Sequence, residues 1–339
     1  MSRQGGVALL MVLLCLALSS LLLAGLAEEG RRDLRRLSLL QAETQARFHA
    51  RGAELLVERA LTDPAARLAP AWWRRLAGEP QRLETPEGHV EVRIRDLRTC
   101  FNLNSLAGPD AALAERQLQR VLPGSAERGL PPHRLVARLA DWIDADSQPR
   151  PDSLDGLDYA LLDPPRTTAD APLVDLSELN WVAPLDPERY RRHPSLCVMP
   201  DTGPWRLNLN SLREDQLPML EALLEDRVPG PQLARLIAAR PPAGYTGIDE
   251  VQAVLGNQAD WLRELGNRMT LAPDYLELGI TVSIGDTPYR FQRLLQAEGV
   301  SNWSPRVAAA RVRTLARRSE GMIPTTAETG RIRPEDETP

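Results

Sequence analysis

The chain opens with an apolar run that restricts every fold it can adopt. Residues 7–27 read VALLMVLLCLALSSLLLAGLA, which is 21 residues without a charge. A helix rises about 1.5 Å per residue, so the run spans roughly 30 Å, the thickness of the hydrocarbon core of a bilayer. The run therefore predicts either a single membrane-spanning helix or a signal peptide.

Three kinds of N-terminal segment fit this run. A secretory signal peptide usually has a shorter apolar region, about 7–15 residues, and a small-residue cleavage site, which residues 24–27 could supply. An uncleaved signal anchor is the second kind. The third depends on residues 1–6, a short leader that carries Arg3 and ends in Gly6. This junction resembles the class III leader of prepilin-type proteins. The resemblance implies cleavage by prepilin peptidase between Gly6 and Val7, N-methylation of Val7, and retention of the helix.

Met11 is the fifth residue counted from Val7. Most pilins and pseudopilins have Glu there, thought to pair with the N-terminal amine of a neighbouring subunit. In lacking this Glu, the sequence resembles the K-type minor pseudopilins of type II secretion systems. Further matches to that family extend to about residue 318.

The charges that flank the run conflict with that resemblance. Only Arg3 precedes the run, whereas Arg31, Arg32, Arg35 and Arg36 follow it. The positive-inside rule alone would place the large C-terminal part in the cytoplasm. The resemblance implies the periplasm, with the chain as a single-pass protein of the bacterial inner membrane. We follow the resemblance because the leader is specific and the cysteine usage agrees with it.

The pattern after the run predicts a continued helix and then strands. Residues 28–63 hold strong helix formers and an apolar stripe of mostly small residues: Leu39, Ala46, Ala50, Ala53, Val57 and Ala60. Alternating residues predict strands at 89–97, 276–284, 289–295 and 307–315. Residues 319–339 are polar without periodicity, and we expect disorder there.

An internal repeat follows the first strand. Asn102–Leu106 reads NLNSL and recurs 106 residues later as Asn208–Leu212, and the Leu-Pro-Gly at 122–124 returns as Val-Pro-Gly at 228–230. Each copy resembles a helix-hairpin-helix, a motif that often binds DNA. Neither turn carries a basic cluster, and phosphate binding needs positive charge. We therefore expect packing and subunit contacts, not nucleic-acid binding.

The resemblance implies an α+β fold: a pilin-like long N-terminal helix packed on an antiparallel sheet, with a large, mostly α-helical inserted domain. We assign residues 1–6 to the leader, 7–27 to the membrane and 28–63 to the periplasmic part of the helix. The head comprises residues 64–100 and 201–318, with the second repeat at 208–255. The inserted domain comprises residues 101–200.

An acidic segment lies between the repeats, at residues 144–158. Closely spaced loop carboxylates are typical Ca²⁺ ligands, although the segment lacks the Gly and Glu of an EF-hand loop. A solvated loop whose aspartates cap helices and turns is the alternative. The stretch WIDADSQPRP at 142–151 resembles the K-type pseudopilins, which carry calcium in their helical domain. Family members tend to have an acidic pair where this chain has Asp-Gly at 155–156. The candidate ligands implied are Asp144, Asp146, Gln148, Asp152, Asp155 and Asp158.

The chain has three cysteines. Cys15 lies in the apolar run. In the oxidising periplasm that the resemblance implies, Cys100 and Cys197 would form a disulfide. Two unrelated buried thiols are the alternative.

No hydrolase, zinc-protease or phosphate-loop motif occurs, so we expect no enzyme. The resemblance implies a minor pseudopilin that caps the tip of the periplasmic pseudopilus and helps start its assembly for protein export across the outer membrane. Its expected partners are other minor pseudopilins, prepilin peptidase and the inner membrane. Two alternatives stay open: a minor pilin of a type IV pilus or competence system, and a membrane-anchored DNA-binding protein.

Overall fold

The computed structural model describes residues 5–63, 80–122, 131–146, 148–151, 153–154, 156–182, 194–225, 227–242, 244–256, 268–298 and 311–322. The described helices are α1 (Gly5–Thr62), α2 (Ala111–Val121), α3 (Pro132–Ile143), α4 (Gly156–Ala160), α5 (Leu217–Leu223), α6 (Gly230–Ala238) and α7 (Ile248–Leu255). The described strands are β1 (Gln81–Thr85), β2 (Gly88–Asp96), β3 (Phe101–Asn102), β4 (Leu196–Cys197), β5 (Leu207–Asn208), β6 (Met269–Thr270), β7 (Tyr275–Ile284), β8 (Thr287–Glu298) and β9 (Arg311–Met322).

Helix α1 is one continuous element of 58 residues, and Gly6 and Val7 lie in its first turn. It is long and apolar enough to cross a membrane. Beyond residue 40 its small-residue stripe turns inward, and Ala46, Ala50, Ala53 and Val57 are buried against the sheet. Leu39 was predicted on this stripe but is 43% exposed, because the sheet begins to cover the helix only near Ala42.

Five antiparallel strands form the sheet, in the order β1-β2-β7-β8-β9. Its buried residues alternate along β2, β7 and β8, because one face of the sheet meets α1. The predicted fold class, a long helix on an antiparallel sheet with an inserted helical domain, is confirmed.

Strand β9 corrects one prediction. It runs through Met322, so the first four residues of the predicted disordered tail, 319–322, belong to an edge strand. Residues 299–310 and 323–339 lie outside the described part. The strand predicted at 307–315 covers the first five residues of β9, Arg311–Leu315. The later residues were not predicted because β9 carries arginines on its exposed side and has two register shifts opposite β8, which break the simple alternation of side chains.

Contacts along α1 define which end of the sheet is nearer the apolar run. His49 of α1 meets Glu87 in the turn before β2, at 3.3 Å. Glu58, further from the apolar run, meets Thr314 of β9 at 2.9 Å. The end of β2 at Asp96 and the start of β7, which pair with each other, therefore lie at the end of the sheet distant from the apolar run.

One carboxylate fixes α1 on the sheet. Glu54 is fully buried and accepts hydrogen bonds from Arg293 of β8 at 3.1 Å and from Arg317 of β9 at 2.8 Å. Thr314 donates a further bond at 2.6 Å, and Arg51 donates one at 2.6 Å. Burial alone would raise the pKa of Glu54, but these hydrogen bonds outweigh it and lower the pKa from 4.5 to about 2.

We predict that Glu54→Ala destabilises the head by about 3–5 kcal/mol, because it leaves Arg293 buried without its carboxylate. Denaturant unfolding of the full chain in detergent would measure the loss. Glu43→Ala is the control, since Glu43 pairs with Arg47 on the helix surface and its loss should cost less than about 1 kcal/mol.

The pKa of Glu54 in the folded chain lies below its unfolded value. Its contribution to the free energy of unfolding is therefore fully present above about pH 4.5 and is lost as the pH falls through about 2. The difference between the wild type and Glu54→Ala should therefore shrink on acidification. Equal losses of unfolding free energy in Glu54→Ala and Glu43→Ala at pH 7 would contradict the role of Glu54 in holding α1 on the sheet.

Candidate functional site

The two repeats share a single hydrophobic core. Leu103 and Leu118 of the first repeat pack in the same cluster as Leu209 and Leu233 of the second. The domain that leaves the sheet after β2 therefore extends from Phe101 to Leu271, and we call this range the helical domain. Each repeat buries apolar residues against the other, so this core crosses the predicted boundary at residue 200, and that boundary stays a prediction.

The repeated asparagines make matching hydrogen bonds. Asn104 donates from Nδ2 to the carbonyl oxygens of Leu173 and Met199, both at 2.8 Å, and its Oδ1 accepts from the N–H of Leu173 at 2.7 Å. Asn210 does the same with Tyr245 and Leu271. The sequence repeat thus corresponds to a structural repeat in which one asparagine amide binds two distant backbone segments.

These bonds locate the acidic segment as an insertion. Asn104 and Leu173 are 69 residues apart, whereas Asn210 and Tyr245 are 35 apart. The first repeat therefore carries 34 more residues between the same two contacts. The acidic segment, residues 144–158, lies within this excess, and no structural counterpart of it is needed to complete the second repeat.

A cavity of about 280 Å³ lies beside the acidic segment. Three predicted ligands, Asp144, Asp146 and Gln148, line it, and the structure adds Asp141, Pro149, Gly156, Thr167, Thr168 and Asp170. The backbone N–H of Gln148 donates to Asp146 Oδ1 at 2.9 Å, which closes a tight turn. The cavity thus gathers carboxylate, amide and hydroxyl oxygens, the donor types that hard cations prefer.

Arg150 lies among the carboxylates next to this cavity. Its Nη1 donates to Asp141 and, at 2.5 Å, to Asp144 Oδ2, and its Nε donates to Glu115 Oε1 at 3.1 Å. Its backbone N–H donates to Asp141 Oδ2 at 2.8 Å. Burial raises the pKa of Asp144, and Arg150 offsets that shift only in part. Sequence reasoning missed Arg150, Asp141 and Asp170 as parts of the site.

The other predicted ligands are not brought together with these. Asp158 lies on the exposed side of α4 and does not line the cavity. Asp152 and Asp155 lie outside the described residues. Within the described part of the chain, no three His, Cys, Asp or Glu side chains converge closely enough to hold a metal ion. Calcium ligation by the six predicted residues therefore remains a prediction.

The predicted disulfide is present. Cys100 and Cys197 are bonded across 97 residues of sequence, next to the parallel pairing of β3 with β4. Closing a loop of this length can stabilise the fold by about 4–5 kcal/mol in the chain-entropy model. The indole N–H of Trp205 donates to the carbonyl of Cys100 at 2.9 Å, so the bridge lies in a packed environment.

A buried ion cluster joins the helical domain to the sheet. Arg98 is 1% exposed and makes two bonds of 2.7 Å to Asp274 and one of 2.7 Å to Asp201. Burial raises the pKa of Asp96 to about 6, although its carboxylate accepts bonds from Asn208 and from the N–H of Arg98. No local sequence signal could reveal this cluster, since Arg98 is 103 residues from Asp201 and 176 residues from Asp274 in the sequence.

A carboxylate lies at the second helix-hairpin-helix turn. A Cβ placed on Gly230 would lie 2.5 Å from Glu221 Oε1, so a carboxylate already covers the start of α6. Arg116 and Arg227 pair with Glu225 in the same turn. This arrangement disfavours a phosphate ligand here. The first turn, at residues 123–130, lies outside the described residues.

Comparison with known proteins agrees with these features. A family model for protein K of the type II secretion system matches residues 99–201. Type II secretion system protein K of Klebsiella pneumoniae is 29% identical over 88% of this chain and 94% of its own length. The putative type II secretion system protein K of Escherichia coli K12 is 30% identical over 73% of this chain and 78% of its own length.

A solved structure has the same fold. It is a chain of the GspK–GspI–GspJ complex from the enterotoxigenic Escherichia coli type 2 secretion system, with a TM-score of 0.65 and 24% identity. The match covers 84% of this chain and 99% of that chain. With the relatives above, and with the long helix, sheet and inserted helical domain in place, the chain belongs to the type II secretion system protein K family.

Proposed function

We propose that this chain is the minor pseudopilin at the tip of a type II secretion pseudopilus. Its helix α1 would anchor it in the inner membrane, and the head would lie in the periplasm. The role is structural: the chain would help start fibre assembly and close the upper end of the fibre. No catalytic step is needed for this role.

The observation that carries the proposal is the position of the helical domain. The domain leaves the sheet after β2 and returns at β7, at the end of the sheet distant from the membrane. A pseudopilus grows from the membrane, so that end faces upward along the fibre. A bulky domain there would occupy the space that the head of the next subunit needs.

Met11 supports the same position. An isolated charge is costly in lipid, and in related pilins a glutamate at this place is thought to dock the amine of a neighbour. Met11 offers no carboxylate to a subunit above it. A chain that cannot accept an upper neighbour through this contact fits the top of a fibre.

The exposed face of α1 is available for contacts with partners. The part of α1 beyond the apolar run exposes large apolar residues that the sheet does not cover: Leu34, Leu37, Leu40, Phe48, Leu55 and Leu56. We infer that other minor pseudopilins pack their own helices against this face. The solved relative, whose title describes a complex of GspK with GspI and GspJ, supports this inference.

The leader predicts a specific maturation. In cells with prepilin peptidase, intact-mass analysis should find the chain without residues 1–6 and with one methyl group on Val7. Cells that lack the peptidase should yield the unprocessed chain. An uncut N-terminus in both strains would identify an ordinary anchor, and a cut near Ala27 would identify a signal peptide; either outcome would overturn the proposal.

The tip position predicts polar labelling of fibres. Gold-labelled antibodies against the helical domain should bind one end of isolated pseudopili, because a subunit with a blocked upper surface can occur only there. Antibodies against a major subunit serve as the control and should label the length of the fibre. Labelling by the first antibody along the length would contradict a capping role.

We also propose that the acidic segment binds calcium. Asp144, Asp146 and Gln148 would supply carboxylate and amide oxygens from the wall of the cavity, with Asp152, Asp155 and Asp158 as further candidates. The donor set suits Ca²⁺, which takes six to eight oxygens in flexible arrangements. When bound, the ion would neutralise the clustered carboxylates and fix the inserted segment.

The calcium proposal predicts that Ca²⁺ raises the melting temperature of the helical domain in the full chain, whereas Mg²⁺ raises it less, since Mg²⁺ dehydrates reluctantly. Asp144→Asn should raise the Ca²⁺ concentration that gives half of the full increase in melting temperature by at least about tenfold. Asp215→Asn is the control, because Asp215 is exposed and paired with Arg213 in the second repeat. An unchanged response in Asp144→Asn would contradict the assignment.

A further inference from the structure

Arg150 places a permanent positive charge beside the cavity that we propose for calcium. Its guanidinium contacts three carboxylates that come from separate elements: Glu115 on α2, Asp141 in α3, and Asp144 just after α3. Only about a quarter of the side chain is exposed. A guanidinium stays protonated at any physiological pH, so this charge cannot be removed by titration.

Two of these carboxylates also line the cavity. Asp141 and Asp144 each contribute to its wall, whereas Glu115 does not. The Oδ2 atom of Asp144 is engaged by Arg150 at 2.5 Å. A divalent ion that binds Asp144 through both oxygens shares Oδ2 with Arg150, and an ion that binds through one oxygen still lies close to the guanidinium. Like charges at such separations repel strongly when the surroundings are partly buried.

We propose that Arg150 and the divalent ion compete for the carboxylate of Asp144. In the metal-free chain Arg150 holds the inserted segment against α2 and α3, and its charge lowers the affinity of the cavity for metal. When an ion binds, Arg150 keeps Glu115 and Asp141 and gives up Asp144. This inference rests on the calcium site proposed above, and Arg150 is a positioning residue that acts through Asp144.

The arrangement has a physical consequence that an ordinary acidic loop lacks. Without Arg150, the carboxylates of Asp141, Asp144, Asp146 and Asp170 would line one cavity without its positive charge, and their mutual repulsion would loosen the segment. With Arg150, the segment keeps a defined structure before metal arrives. The cost is weaker metal binding, so the ion would be taken up only where it is abundant.

Calcium titration of the full chain in detergent micelles, followed by isothermal calorimetry, tests the competition. Arg150→Gln should bind Ca²⁺ about ten- to a hundredfold more tightly than the wild type, because the competing charge is gone. Its melting temperature without metal should fall. Arg150→Lys keeps the charge and should bind within about threefold of the wild type.

A second variant tests whether the effect on calcium affinity depends on Arg150. Glu115→Gln should weaken calcium binding, because the displaced guanidinium then retains only Asp141 as a partner. The same substitution should have little effect in the Arg150→Gln background, which a double-mutant cycle would reveal. Because this variant shifts affinity in the opposite direction, it tests the proposal even if Arg150→Gln fails to fold.

Arg213→Gln is the matched charge control. It removes one arginine whose guanidinium pairs with the exposed Asp215, and calcium affinity should stay within about twofold of the wild type. Equal or weaker calcium binding by Arg150→Gln, with a wild type that binds calcium, would overturn the competition alone. A wild-type chain that shows no calcium binding would instead overturn the proposed calcium site.

Discussion

The buried guanidinium of Arg98 is the interaction on which the two-part architecture depends. It lies just after β2 and binds the carboxylate of Asp201, between the two repeats, and that of Asp274, where the chain returns to the sheet. An excursion of more than 170 residues therefore begins and ends at one charge. Removing a partner from such a cluster would leave an uncompensated charge in a dry environment, so the departure and the return of the chain are fixed together.

The disulfide and the repeated asparagines extend this closure into the helical domain. Cys100 and Cys197 join the entrance of the first repeat to its exit, and Asn104 and Asn210 each hold two backbone segments with one amide. These contacts complete both repeats without the acidic segment. The acidic segment lies outside these hydrogen bonds and contacts the shared core through Leu154.

The parts that the sequence could predict are those with local signals. The apolar run predicted α1, alternation predicted β2 and β7, and the identical pentapeptides predicted the repeat. Alternation predicted β9 only as far as Leu315, because arginines and register shifts hide the pattern of its later residues. The shared core of the repeats and the Arg98 cluster depend on contacts over 100 residues apart, which no local pattern encodes. Arg150 was not predicted as part of the site because a calcium-ligand pattern consists of oxygen donors, and arginine supplies none.

The attachment of the helical domain has a mechanical consequence. Both connections leave from β2 and β7, which are interior strands flanked by β1 and β8, and neither is at an edge of the sheet. A load pressed on the domain along the strand axes would be spread as shear over neighbouring backbone hydrogen bonds and passed to α1 through its packed stripe. No strand could be peeled away first. A molecule built in this way can transmit thrust from a growing fibre to whatever its outer end meets.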